Sequence, residues 1–159
     1  MVESSNSNKL NFELLSWLFA LMFAALFIIP IYLRCEMNYT FYIPNIVSII
    51  EFVVLTKMLF LLSYTPYARS KWLRMVLIFL PIPLLMYQVD NLFDFQKFID
   101  EEGSIKFFGN DFSANDYNFG KFIKYQYIFF SVGATIALIL VPIRMIISFW
   151  RTTNTKHKV

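Results

Sequence analysis

The sequence predicts an all-α integral membrane protein: a four-helix bundle with a short amphipathic surface helix in its third loop. Two observations point there. Four apolar runs of about twenty residues, the length that crosses a hydrocarbon core about 30 Å thick, recur along the 159 residues. Charged residues make up 16% and hydrophobic residues 58%, whereas soluble domains carry about 25% charge. A chain of this length has room for one four-span domain, 1–159, with spans at about 14–33, 42–62, 72–88 and 125–147 and an extramembrane loop at 89–124.

Span one, from Leu14 to Leu33, carries no charge. Pro30 sits in its last turn, where a missing backbone donor costs least, and Trp17 and Tyr32 lie near its ends as interfacial aromatics. The run is longer than a signal h-region and no small-residue cleavage site follows, so a retained helix is expected. Ala20 and Ala24, four apart, mark a face where a second helix can approach closely. Span two, Tyr42 to Leu62, contains Glu51 and Lys57. Asn38-Tyr39-Thr40 before it matches a glycosylation sequon but lies too near the membrane to be read as one. Span three, Trp72 to Gln88, contains Pro81 and Pro83, which strip the carbonyls of Leu77 and Phe79 of their helical donors and should kink or break the helix.

In the third loop, Leu92, Phe95 and Ile99 recur at helical spacing, with Asp90, Asp94, Lys97 and Glu101 on another side. That pattern predicts a short helix lying on the membrane surface and ending near Gly103. The stretch from Gly109 to Gly120, rich in Asn, Asp and Ser, reads as loop. Span four, Tyr125 to Ile147, offers Gly133 and Ala137 as a second small-residue packing face. A basic tail follows.

Lys9, Arg69, Lys71, Arg74, Arg151, Lys156 and Lys158 fall on one side of the spans, and most of the acids on the other. The positive-inside rule then puts both termini in the cytoplasm. The net charge of +3 is thus absorbed by topology, and no nucleic-acid partner is expected. Lys57, Arg74 and Arg144 come near the inner ends of their spans, where long basic side chains reach the headgroups.

Glu51 is different. At about 1.5 Å per residue it lies roughly 13 Å inside the core, too deep for a short side chain to reach either surface. Lys57, six residues on, is about 120° round the helix. Burial there favours the neutral acid, which needs an acceptor at its own depth. Thr135 and the carbonyls freed by Pro81 and Pro83 come at that level, so Glu51, Thr135, Pro81 and Pro83 are the candidate polar site. It would bind a proton or small cation, or pin helices together.

Other chemistry is thin. Cys35 is the only cysteine and His157 the only histidine, which excludes a disulfide, a CxxC redox pair and a bis-histidine haem. Asp111, Ser113, Asn115 and Asp116 alternate oxygens as a calcium loop does, but Asp116 stands where glycine is required and Phe122 where a bidentate Glu is. No metal, cofactor or enzyme activity is expected, since a lipid-directed enzyme would need clustered acids, bases or ligands. Nineteen Phe serve as lipid-facing filler, or else line a lipid or quinone groove.

The layout resembles small four-span proteins of bacterial inner membranes. It differs from small multidrug exporters, which carry their acid in the first span. The expected role is a non-enzymatic accessory or assembly subunit of a membrane complex, with the bilayer and a protein partner or further copies as its contacts. The alternative is a small proton- or cation-coupled carrier using Glu51.

Overall fold

In the computed structural model the described residues are 2–35, 39–62, 71–109 and 113–154; the side chains of 2–9, 71, 74, 114–115 and 152–154 are not among them. Arg69, the Asn38 sequon, Asp111, Lys156, His157, Lys158 and the side chains of Lys9, Lys71, Arg74 and Asn115 therefore lie outside the description. Five α-helices form: α1 (Val2–Cys35), α2 (Tyr42–Leu61), α3 (Lys71–Phe79), α4 (Pro81–Glu101) and α5 (Ala114–Asn154), with a 3-10 turn at Ser104–Phe108 before α5. Among the described residues there is no strand. Four segments are long and apolar enough to cross a membrane: Leu10–Cys35, Tyr42–Leu61, Met75–Glu101 and Asp116–Arg151.

The helices alternate in direction, because two clusters at opposite ends draw on opposite helix termini. One joins Ile31 and Cys35 of α1 with Tyr39, Phe95 and Ile99 of α4, Phe107 of the 3-10 turn, and Ile123 and Tyr127 of α5. The other joins Leu55, Met58 and Leu62 with Leu77 and with Ala137, Leu138, Val141 and Met145 of α5. Between them a smaller cluster of Ala24, Ile49 and Phe130 holds α1 to the pair α2–α5.

Pro81 and Pro83 do interrupt the third segment, but gently. Leu80 is the turn residue between α3 and α4, with near-helical φ −55° and ψ −38°, and its N–H still bonds Val76 at 2.8 Å. Pro81 takes the first position of α4, where a helix has no use for its N–H. The larger departure comes further on. Residues 89–101, expected as loop and surface helix, are the continuation of α4. No residue between Gln88 and Asp90 breaks a helix, and Gln88, Leu92, Phe95 and Ile99 continue one stripe; all but half-buried Leu92 are fully buried. The amphipathic pattern reflects packing against α5, since a helix facing a protein core shows the same periodicity as one lying on lipid.

Residues 114–120, expected as loop, are the first two turns of α5. Ser113 and Asp116 form the start signal: Asp116 Oδ2 accepts from the Ser113 backbone N–H at 2.9 Å and from its hydroxyl at 2.5 Å. This is one half of a capping box, the acid three residues on reaching back to the serine N–H. Of the oxygens that alternate like a calcium loop, those of Ser113 and Asp116 thus stand at a helix start.

Small residues set the helix spacing. Ala20 and Ala24 on α1 and Ala134 and Ala137 on α5 are buried. Gly133 lies under the ring of Phe52, which an added Cβ would meet at 2.7 Å. Phe52 cannot retreat easily, because Phe129 and Phe130 flank it at 5.7 and 5.6 Å between centroids. Gly133→Ala is therefore expected to destabilise the bundle by about 1–3 kcal/mol, as overpacking does. Thermal unfolding in detergent measures it, and an unchanged midpoint would mean that the Phe52 ring swings free.

Candidate functional site

The core of the bundle is not wholly apolar. In its first two turns α2 turns Asn45 and Ser48 inward, three apart on one face, and α5 answers with Gln126 and Ser131. Asn45 and Gln126 exchange amide hydrogen bonds at 3.1 and 2.9 Å, and Asn45 also donates to the Tyr39 hydroxyl at 3.1 Å. Ser48 donates to the Pro44 carbonyl at 2.8 Å, so in its 3.1 Å contact with Ser131 the proton comes from Ser131. It accepts in addition from Nε2 of Gln88 on α4 at 2.6 Å. All five residues other than Tyr39 are at most 6% exposed. In a lipid-facing bundle such pairs stand in for water, each contributing on the order of 1 kcal/mol to helix association.

Two further side chains carry oxygens without a donor. Both oxygens of Glu51 and Oε1 of Gln88 are shielded and make no hydrogen bond among the described residues. Thr135 donates its hydroxyl to the Ser131 carbonyl one turn back, at 2.8 Å, which leaves its oxygen only as an acceptor. Pro81 is buried and Pro83 exposed, so the two prolines do not face one site. Beside the expected grouping of Glu51, Thr135, Pro81 and Pro83, Gln88 is a second side chain with a shielded, undonated oxygen. Gln88 lies at the end of the span as read from sequence, where a polar residue passes for an interfacial one.

Lys57 also departs from expectation. It is 8% exposed and reaches across to α1, where its Nζ meets Glu13 Oε1 at 2.6 Å. Glu13 was invisible as a partner because the first span was begun one residue after it, at Leu14. The signal was present nonetheless: an acid and a base of equal depth at the same end of two adjacent, antiparallel spans. Arg144 is exposed. Alongside the ion pair, a groove of about 680 Å³ runs between α1 and α2, walled by Phe19, Met22, Phe23, Phe52 and Val53, with Lys57 at one end.

At the opposite end, Arg34 binds Asp116 at 2.7 Å and ties the close of α1 to the start of α5. The same carboxylate accepts from the Ser113 hydroxyl and backbone N–H. The described residues contain no cluster of three or more metal-ligating side chains.

No family model, curated protein or solved structure matches this chain.

Proposed function

We propose that the chain is a non-enzymatic accessory or assembly subunit of a membrane complex, and that it receives a helix of its partner in the groove between α1 and α2. The groove carries this reading. Apolar surface alone does not draw helices together in lipid, where close fit does, and a concave wall of Phe19, Met22, Phe23, Phe52 and Val53 offers fit that a convex helix lacks. Helix α1 has room for a further neighbour: 17% of its apolar window is buried, as in the third segment, against 39% for α2 and α5. Asn45, Ser48, Gln126 and Ser131, by contrast, are spent on bonds inside the chain. The distribution of Lys and Arg supports cytoplasmic termini, in a bacterial inner membrane.

The test is isolation of the tagged protein from its native membrane in mild detergent, with mass spectrometry of the eluate. A stoichiometric membrane partner is expected, lost from Val53→Trp, which fills the groove, at an unchanged unfolding midpoint. Elution of a homogeneous species with nothing attached would overturn the reading. One observation favours a second: the undonated carboxyl of Glu51 suits a proton- or cation-coupled carrier, which would show a flux in vesicles that Glu51→Gln abolishes.

A further inference from the structure

The register between α2 and α4 brings Glu51 and Gln88 to neighbouring levels of the bundle. Phe41 and Tyr42 pack in the same cluster as Phe95 and Ile99, Ser48 bonds Gln88, and Leu55 and Met58 share a cluster with Leu84 and Leu85. The two helices therefore run antiparallel, and each step down α2 meets an earlier residue of α4. Glu51, between Ser48 and Leu55, comes opposite the stretch 84–88. It is one turn from Ser48, whose hydroxyl already holds the other amide atom of Gln88.

We propose that Glu51 and Gln88 form a buried proton-binding site, in which the Glu51 carboxyl carries the proton and donates it to Oε1 of Gln88. The accounting of donors supports it. An ionised Glu51 leaves three shielded oxygens without a hydrogen, whereas one added proton turns an acceptor into a donor and pairs it with the amide oxygen. The charged neighbours supply no substitute. On α2 itself, Lys57 is about 120° away and engaged by Glu13. On α4, Asp90 and Asp94 are exposed, nearer the aromatic end. On α5, residues 127–143 contain no charged side chain, and Arg144 beyond them is exposed. Arg74 of α3 and Glu3 of α1 lie outside the described side chains, among which Glu13 is the acid that α1 contributes. The proton comes from solvent and returns to it, with no other reactant. Its loss would leave Nε2 of Gln88 as the nearest donor, at the expense of the bond to Ser48, so the site links protonation to the α2–α4 contact.

The inference stands apart from the assembly reading and is tested without a partner or a flux. Infrared spectra are taken of the full chain in phosphatidylcholine vesicles at pH 7, in choline and in sodium salts. A carboxylic-acid C=O band that Glu51→Gln removes is expected. In Gln88→Met the band should persist and move to higher wavenumber, as for an acid without its acceptor. If Gln88→Met fails to fold, Gln88→Asn, which withdraws the amide by one methylene, should give the same movement. Absence of a Glu51-dependent acid band at pH 7, or an unmoved band in the Gln88 variant, would overturn the proposal. So would a band that sodium removes, which would make the occupant a metal cation.

Discussion

Lys57→Met should lower the stability of the bundle by about 3–5 kcal/mol, the penalty for leaving one member of a buried ion pair uncompensated. The side chains of Lys57 and Glu13 are 7% and 11% exposed and stand 2.6 Å apart, so water cannot take over the role of either. Glu13→Gln should cost less, because the amide oxygen can still accept from the ammonium while the charge goes unmatched. The double variant Glu13→Leu/Lys57→Met should recover most of the loss, since replacing both charges by apolar groups removes the desolvation penalty along with the attraction. A double-mutant cycle on unfolding in detergent micelles reads all three. If Lys57→Met is neutral, the pair is solvated and the two helices are held by their apolar contacts alone.

Phe95→Ala should cost a comparable amount, about 3–5 kcal/mol, by opening a cavity at the other end of the molecule. Phe95 is fully buried and lies at the centre of the aromatic cluster. It stacks on Tyr127 with centroids 3.9 Å apart, meets Phe41 edge-on at 5.1 Å, and runs parallel to Phe107 at 6.3 Å. It therefore touches α5, the start of α2 and the 3-10 turn at once. Phe93, two residues earlier and 65% exposed, is the control: its removal should change the unfolding midpoint little. The contrast also separates the two accounts of this segment. A surface helix would lose little from either change, whereas a helix of the bundle loses much from one of them.

The general architecture was legible in the sequence because hydropathy over twenty residues is a strong, local signal. What it concealed was non-local. Leu92, Phe95 and Ile99 announced an amphipathic helix, but the same stripe fits a lipid surface and a neighbouring helix, and only α5 decides between them. Ser113 to Asp116 looked like loop by composition, although its capping box was readable once an apolar run was seen to follow. Gln88 was hidden by its place at an assumed span end, and Glu13 by an assumed span start. Glu51 stood out by depth alone, yet its neighbour depended on the register of α2 against α4, which no single helix encodes.

The reciprocal bonds between Asn45 and Gln126 span 81 residues of chain, and this separation has a consequence for biogenesis. At roughly 5–20 residues per second of synthesis, the amide of Asn45 must wait about 4–16 s before its partner leaves the ribosome. Ser48 waits similarly for Ser131, 83 residues on. Were the helices inserted as they are made, the second would until then carry its polar groups unmatched, a state that hydrocarbon tolerates poorly. The newborn helix is thus at its most vulnerable to quality-control proteases while the fourth segment is still being translated, and the last helix to arrive is the one that completes the core.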